Sequence, residues 1–404
     1  MTVLQINAVY GDGSTGKIVA DTHELCLQSG IESHIAYSTT SADARSIVNG
    51  YRIGGTFGKK LHAVLCRING MQGYFSRHAT RRLLRHIDRI QPEIVHLHNL
   101  HSNFIHLNML LKYLAKRDIA TVLTIHDCWF FTGGCFHYTA QGCDGWLNGC
   151  VNCPVKAGQT PVPFFRHSQR ILRDRKKYLS AIPRLTVCGV SDWTANEARR
   201  TFLGERDICA IYNGVDFTTL YPETSSLRVQ WGAEDKFVIL GPSMKWLDPI
   251  NRDTLWRVAE GLGADGMLVL LGYGGQGVDL PPNVKMLGYV SDKDELRRVY
   301  SAADVFANCT RQETLSLINV EAQACGTPVV TYRNTGVQET VDGVCGFSVE
   351  TGDAEALLDK ILEIKAVGKS ALTEQCRAFV KEKFERDTNY RQFVMLYREI
   401  CNES

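Results

Sequence analysis

Short apolar runs alternate with amphipathic segments along the first half of the chain. The apolar runs have the length of buried strands and occupy residues 2–9, 33–38, 92–99 and 119–127. The segments between them, such as residues 17–30 and 108–118, place apolar side chains at the three- and four-residue intervals of a helix. This alternation predicts parallel strands connected by crossover helices.

The same alternation begins again in the second half. Its apolar runs follow a polar connection at 224–235 and occupy residues 236–242, 266–272, 283–290, 304–309 and 328–332. A single hydrophobic core rarely serves more than about 250–300 residues, so a chain of 404 residues is expected to form two domains. We predict two doubly wound α/β domains, 1–216 and 217–385, with ligands bound in a cleft at the carboxyl ends of their strands.

Residues 386–404 are predicted to form a final helix. Its apolar side chains fall on one side, at Tyr390, Phe393, Val394, Tyr397 and Ile400. That side must pack against another element, and the pattern leaves open whether this is the first domain or the helix's own domain.

Charge and composition exclude several classes of protein. A formal net charge of +2 argues against a protein built to wrap nucleic acid. The first residues, MTVLQINAVYGDG, are typical of a strand rather than a signal peptide, and no run approaches the roughly 18 apolar residues that cross a bilayer. We therefore expect a cytoplasmic protein whose 14 cysteines are thiols or metal ligands rather than disulfides.

Two glutamates, Glu313 and Glu321, stand eight residues apart in ETLSLINVE, which is followed by AQACGTPVV. The second lies in a predicted helix that ends at Gly326 and Pro328. If the whole interval were helical, the two carboxylates would be roughly 12 Å apart, about the distance from the sugar to the ribose of a nucleotide sugar. A solvated helix whose acids have no role is the alternative.

This segment resembles the donor-site signature of retaining glycosyltransferases of family 4, in which two glutamates flank seven residues and a Gly-Thr-Pro-Val-Val turn follows. The resemblance implies the GT-B fold, with two Rossmann-like domains and a final helix that returns to the first. It also implies that Glu313 binds donor-sugar hydroxyls and that Glu321 binds the ribose hydroxyls. Backbone N–H groups near Leu315, Ser316 and Leu317 would bind the diphosphate at the start of the helix.

A glycine-rich turn follows the predicted first strand and contains Gly13, Ser14 and Gly16. The resemblance implies that this turn closes over the donor diphosphate, because glycine lets the backbone approach. The turn also matches the spacing of a P-loop, but Ile18 stands where a P-loop needs Ser or Thr to hold magnesium. A tight strand-to-helix turn without a ligand remains the third interpretation.

Two cations follow the first strand of the second domain, Lys245 and Arg252. They resemble the pair of cations with which the family neutralises the leaving diphosphate in place of a metal. The family has its arginine first, whereas the lysine comes first here, and ordinary surface cations are the alternative. The resemblance also implies that backbone near Gly274 and Tyr289 contacts the base of the donor.

Histidines end two neighbouring strands of the first domain. His126 ends TVLTIHD, where the family places a histidine beside the donor sugar, and a purely structural histidine is the alternative. His98, Asn99 and His101 end the preceding strand and are interpreted as acceptor-side residues. With Glu313, Lys245 and Arg252, His126 completes the set of expected catalytic residues.

Cysteines crowd the loop 128–154. Four thiolates at this spacing make a closed tetrahedral zinc site feasible, formed by Cys135, Cys143, Cys150 and Cys153. A loop so rich in glycine has little else in its sequence to hold it. Reduced thiols without metal are the alternative, and no basic helix accompanies the loop as a nucleic-acid finger would require.

Basic residues concentrate at 77–89 and 166–177. They are interpreted either as solvated helix faces or as contacts with an anionic membrane, which would suit a lipid-linked acceptor.

The resemblance to family 4 implies a metal-independent retaining glycosyltransferase, of hexosyl or deoxyhexosyl type. We expect it to use a GDP- or UDP-sugar and a glycan or lipid-linked glycan acceptor in the synthesis of bacterial surface polysaccharide. No cofactor is expected for catalysis. A sugar-nucleotide epimerase with the same fold and a non-catalytic sugar-nucleotide-binding protein are the alternatives.

Overall fold

The computed structural model describes residues 1–153, 165 and 167–402. The chain divides into two compact units, Met1–Tyr212 with Asn389–Ser404, and Asn213–Thr388. The first division therefore falls at 212/213, near the expected 216, and the second at 388/389, near the expected 385.

The first unit is built on a seven-stranded sheet in which every pairing is parallel. Its strands are β1 (Thr2–Val9), β2 (Glu32–Thr39), β3 (Gly50–Arg52), β4 (Ile94–Leu97), β5 (Ala120–Ile125), β6 (Leu185–Gly189) and β7 (Asp207–Ala210). Their order is β3-β2-β1-β4-β5-β6-β7. Successive strands are added on one side of β1 up to β3 and on its other side from β4 onward, although all strands run parallel. Such a change of side is the doubly wound arrangement that the alternating pattern predicts.

Helices connect these strands. They are α1 (Gly13–Gln28), α2 (Thr56–Asn69), α3 (Arg77–Ile90), α4 (Leu107–Arg117), α5 (Ser168–Leu179) and α6 (Asp192–Arg199), with 3₁₀ turns at Cys128–Phe131 and Thr139–Gln141. Among the described residues, no helix is long and apolar enough to cross a membrane.

The second unit has a six-stranded sheet, again with parallel pairings throughout. Its strands are β8 (Phe237–Pro242), β9 (Gly266–Leu271), β10 (Val284–Leu287), β11 (Val305–Asn308), β12 (Val329–Arg333) and β13 (Gly346–Glu350). The order β10-β9-β8-β11-β12-β13 reverses between β8 and β11. The predicted fold class, two doubly wound α/β domains, is confirmed.

The helices of the second unit precede and follow these strands. They are α7 (Leu227–Trp231), α8 (Ser243–Trp246), α9 (Arg252–Leu262), α10 (Lys293–Ala302), α11 (Leu317–Ala324), α12 (Ala354–Val367) and α13 (Lys369–Phe384), with 3₁₀ turns at Pro249–Asn251 and Thr335–Thr340.

The last helix, α14 (Arg386–Asn402), packs on the sheet of the first unit. Its Tyr390, Phe393, Val394 and Tyr397 are buried together with Val3 and Ile94 of the sheet. Burying each such side chain contributes roughly 1.5–3 kcal/mol. The hydroxyl of Tyr397 also lies 2.5 Å from Nδ1 of His96 in β4. The apolar side of α14 is therefore part of the first unit's core.

Candidate functional site

In the second unit, the reversal of strand order between β8 and β11 creates a crevice at their carboxyl ends, because the following segments turn to opposite sides of the sheet. Lys245 lies just after β8 and Glu313 just after β11. The Nζ atom of Lys245 is 3.7 Å from Oε1 of Glu313, and the two side chains are 34% and 27% exposed. The structure thus brings two of the predicted residues together as a partly solvated ion pair, which we call the crevice pair.

Glu313 is held through its backbone as well as through the crevice pair. Its N–H donates to Oγ1 of Thr335 at 3.1 Å, and the same hydroxyl donates to the carbonyl of Glu313. Among the described residues, Oε2 of Glu313 is buried and has no hydrogen-bond partner. A buried carboxylate oxygen without a partner is costly, and a donor hydroxyl from a ligand would satisfy it.

Helix α11 begins beside Glu313 without a side-chain cap. The residue before its first turn is Ser316, whose buried hydroxyl accepts from Nδ2 of Asn308 at 3.0 Å and so is turned away from the helix start. An uncapped first turn presents N–H groups to an anion. Because the helix begins at Leu317, Glu313 lies in the preceding loop, and the roughly 12 Å separation expected for a continuous helix does not apply.

Glu321 lies in the second turn of α11. Its Oε2 accepts a hydrogen bond of 2.8 Å from the hydroxyl of Tyr300. Burial, and then the negative charge of Glu321, raises the pKa of Tyr300 well above its ordinary value, so this phenol is a permanent donor. The carboxylate of Glu321 is therefore oriented by a rigid buried partner.

Asn251 connects the two sides of the crevice and was not singled out by its sequence. Its buried Nδ2 donates to the carbonyl oxygens of Lys245 and Cys309, both at 2.9 Å. Its Oδ1 accepts from Nε of Arg311, also at 2.9 Å. The next residue, Arg252, is exposed and begins α9. A lone asparagine in a polar loop gives no pattern from which this role could be found.

Two exposed tyrosines stand at the ends of β9 and β10. The rings of Tyr273 and Tyr289 are stacked with centroids 4.7 Å apart and an interplanar angle of 9°. The carbonyl of Tyr273 accepts from Oγ of Ser243 at 2.7 Å. A Cβ at Gly272 would lie 2.8 Å from that hydroxyl, and Gly274 has a φ of +110°, so glycines permit this close turn. The stacked pair offers a flat aromatic surface.

In the first unit, the glycine turn after β1 is compact. Gly11 and Gly13 have positive φ angles of 75° and 64°, Ser14 is exposed and Gly16 is buried. A Cβ at Gly16 would lie 3.3 Å from the backbone nitrogen of Gly11. Ile18 is buried in the core, so no hydroxyl stands where a P-loop holds magnesium.

The predicted histidines of β4 and β5 meet at the strand ends. Nδ1 of His98 lies 3.0 Å from Nε2 of His126, and Nε2 of His98 lies 3.2 Å from Oε1 of Gln5. With Gln5 accepting, Nδ1 of His98 must accept from Nε2 of His126. Burial lowers the pKa of His126 to about 4 and holds that of His98 well below its ordinary value. Both rings are therefore neutral at pH 7.

His101 and Asn99, the other two predicted acceptor-side residues, form hydrogen bonds with different residues from those of the histidine pair. His101, which is 20% exposed, places Nε2 3.0 Å from Oδ2 of Asp127. Asn99 donates its backbone N–H to Oδ1 of Asn7 at 3.1 Å and accepts from the N–H of Ala8 at 3.0 Å. These contacts fix the chain that follows β4 against the end of β1.

The cysteine loop is held by aromatic packing and one buried cation. Arg175 donates to the carbonyl oxygens of Trp129 and Thr132, and its guanidinium lies 3.8 Å from the Trp129 ring centroid. Phe131, Tyr138 and Trp146 pack in the adjoining core. The expectation that the loop has little else to hold it is therefore wrong. Arg175, which belongs to the basic stretch 166–177, is buried rather than solvated; Pro154 and Arg166 lie outside the described residues.

The four cysteines of the zinc hypothesis lie in one neighbourhood. Burial, and then the nearby thiols of Cys153, Cys150 and Cys143, raises the pKa of Cys135 to about 12. The Sγ of Cys150 accepts from the N–H of Gly133 at 3.2 Å. Across the part of the chain that the structure describes, no three His, Cys, Asp or Glu side chains are arranged to hold a metal ion. The zinc site stays a prediction.

Comparisons with known proteins agree over both units. Residues 17–219 match the family model described as Glycosyltransferase Family 4, and residues 261–366 match the model described as Glycosyl transferases group 1. A colanic acid biosynthesis glycosyl transferase named WcaC, from Escherichia coli (strain K12), is 24% identical over 364 residues, which are 86% of this chain and 87% of the relative.

Solved structures resemble the whole chain. Sucrose-phosphate synthase from Thermosynechococcus elongatus has a TM-score of 0.70 at 18% identity and covers 100% of both chains. HepE from Anabaena, solved with UDP-glucose, has a TM-score of 0.65 at 16% identity and covers 99% of this chain and 100% of its own. At these identities the likeness shows a shared fold.

Proposed function

Because the chain belongs to glycosyltransferase family 4, we propose that it transfers a sugar from a nucleotide-sugar donor to a glycan acceptor, with retention of anomeric configuration. The observation that supports this assignment best is the crevice of the second unit. There the crevice pair joins the segment after β8 to the loop after β11, and that loop leads into the uncapped start of α11 and the anchored carboxylate of Glu321. These groups could bind the three parts of a nucleotide sugar, namely its sugar, its diphosphate and its ribose.

The diphosphate would lie between Lys245 and the first turn of α11. A fixed cation and free backbone N–H groups stabilise the negative charge that develops when the sugar–phosphate bond breaks. Arg252, which is exposed at the start of α9, is the proposed second cation. In this arrangement protein cations supply the charge, so we expect transfer to continue in the presence of EDTA.

The donor sugar would bind Glu313, whose Oε2 is the buried oxygen without a partner among the described residues. The ribose hydroxyls would donate to Glu321, and the base would stack near Tyr289. The acceptor oxygen bonds to the anomeric carbon on the face from which the phosphate leaves, and its proton passes to the departing phosphate. In the first unit, the neutral ring of His126 would act by hydrogen bonding rather than by charge.

The acceptor is proposed to be a lipid-linked glycan in bacterial surface polysaccharide synthesis. The name of the WcaC relative, which matches over 86% of this chain, supports the polysaccharide assignment. A lipid-linked acceptor would require the protein to work at the cytoplasmic face of a membrane. GDP- and UDP-sugars are the proposed donors, and the structure of HepE with UDP-glucose makes UDP-glucose the first to test.

The experiment combines a thermal-shift screen of UDP-, GDP- and ADP-sugars with an assay of donor consumption. A transferase releases nucleoside diphosphate much faster when a glycan acceptor is added. An epimerase would convert the donor without acceptor, and a binding protein would be stabilised by the donor without consuming it. Either of the last two results would overturn the proposal, whereas acceptor-dependent release in EDTA would support it together with metal independence.

A further inference from the structure

Helix α2 turns its apolar side away from the protein. Four apolar residues at intervals of four, three and four fall within one narrow side of the helix. These residues are Phe57 (81% exposed), Leu61 (49%), Val64 (52%) and Ile68 (49%). The buried side chains of α2, His62 and Cys66, lie on the opposite side. We call the four exposed residues the α2 stripe; a contiguous apolar row of this kind marks an interaction surface.

Positive charge surrounds the stripe. Residues 56–90 contain eight Lys or Arg and one Asp, a net charge of +7, whereas the whole chain carries only +2. Helix α3 buries Thr80, Leu83 and Ile87 and exposes its arginines, which are Arg77, Arg81, Arg82, Arg85 and Arg89. The single acid, Asp88, is paired with Arg117. The cations therefore lie on the helix that follows the stripe, and Arg77 and Arg82 border a cavity that Leu61 of the stripe also lines.

A cavity of about 550 Å³ opens between α2 and α3. Ile53, Leu65 and Phe75 contribute to its apolar wall, and Lys59, Arg77 and Arg82 add cations. Leu61 belongs both to this cavity and to the α2 stripe. The apolar surface is thus continuous from the exposed helix into a recess edged by positive charge.

We propose that α2 and α3 form a docking surface for a bilayer that contains anionic lipid. The α2 stripe lies at the boundary between headgroups and acyl chains, and the arginines of α3 bind lipid phosphates. A second copy of this chain would bring two strongly positive surfaces together, which is unfavourable. A nucleic acid would leave the apolar row exposed to water. Of these three occupants, only an anionic bilayer would both bury the α2 stripe and neutralise the arginines of α3.

Vesicle sedimentation tests this proposal without donor or acceptor, so its result is independent of the transferase assignment. Phosphatidylcholine vesicles are compared with vesicles that also contain phosphatidylglycerol. We expect strong preference for the anionic vesicles, weakened by salt. Each cation at a membrane surface is worth about fivefold in binding, so Arg81→Gln/Arg85→Gln should weaken binding by about 25-fold.

The α2 stripe is tested by Phe57→Ser/Leu61→Ser, which should weaken binding at least about tenfold because two apolar side chains leave the bilayer. The matched control is Lys176→Gln/Lys177→Gln, which removes two exposed cations of α5 and should change binding less than about twofold. In Phe57→Trp, the added fluorescence should shift to the blue on anionic vesicles.

Equal sedimentation with both kinds of vesicle would overturn the proposal. Unchanged binding in the Phe57→Ser/Leu61→Ser variant, or an equal loss in the α5 control, would do the same. Light scattering measures the oligomeric state of the wild type and of the stripe variant. A wild-type dimer that becomes a monomer in Phe57→Ser/Leu61→Ser would assign the stripe to self-association and overturn the proposal. All of the substituted side chains are exposed, and thermal unfolding checks that each variant remains folded.

Discussion

Replacing Lys245 by alanine separates a structural ion pair from a ligand-binding cation. The Nζ atom of Lys245 is 3.7 Å from Oε1 of Glu313, and both side chains are partly exposed. Pairs of this kind contribute about 0–1 kcal/mol to stability, because water screens the charges and the side chains lose freedom. Lys245→Ala should therefore lower the free energy of unfolding by less than about 1 kcal/mol.

The effect on a bound diphosphate should be much larger. A hydrogen bond to a charged group contributes about 1.5–3 kcal/mol, which corresponds to roughly a ten- to hundredfold change in the dissociation constant. Loss of this interaction should also lower kcat/KM, and by more than it weakens binding if the cation acts mainly on the departing phosphate. The predicted signature is a large functional loss with a small loss of stability.

Urea unfolding and calorimetric titration with UDP and GDP measure the two quantities on the same preparation. Lys360→Ala is the matched control, because Lys360 is 36% exposed and pairs with Glu363 at 2.7 Å in the same unit. The control should bind nucleotide like the wild type. Nucleotide binding that is unchanged in Lys245→Ala, or a loss of stability above about 3 kcal/mol, would refute the assignment of this lysine to the donor.

Four further outcomes are expected. Glu321→Ala should raise the donor KM or lower kcat/KM at least about tenfold through loss of charge-assisted bonds, measured by steady-state kinetics. Asn251→Ala should lower the free energy of unfolding by about 1–3 kcal/mol, because buried groups lose their partners, and urea titration measures this. Elemental analysis tests the zinc hypothesis for the cysteine loop: about one zinc per chain would support it, and a value below about 0.2 would indicate free thiols. Burial lowers the pKa of His126 to about 4 from 6.5, so the unfolded chain binds more protons between these values. The free energy of unfolding should therefore fall as pH decreases through that window, less steeply in His126→Asn.

The alternating pattern predicted the parallel sheets because each buried strand is a local apolar run with its own length and boundaries. The order of the strands within each sheet could not be predicted in this way. Strand β4 lies beside β1, and β11 lies beside β8. These placements depend on which helix covers which face of the sheet, and no single apolar run indicates that. The final helix illustrates the same limit, since its apolar side predicted packing without identifying the partner.

The donor residues that were predicted lie in contiguous segments, where spacing can be compared directly. Asn251 depends on contacts with Lys245, six residues away, and with Cys309 and Arg311, which are 58 and 60 residues away along the chain. The exposure of the α2 stripe likewise depends on tertiary packing, because the same spacing would suit a helix that faces inward. The sequence therefore suggested the acids and the lysine as donor-site residues, whereas Asn251, which holds the chain around Lys245, required the fold.

A structure of the protein with a bound nucleoside diphosphate tests the central assignment most directly. We predict the diphosphate within hydrogen-bond distance of Lys245 and the first-turn N–H groups of α11, with the ribose on Glu321. A nucleotide bound instead by the glycine turn at Lys17, with no contact to α11, would contradict the account.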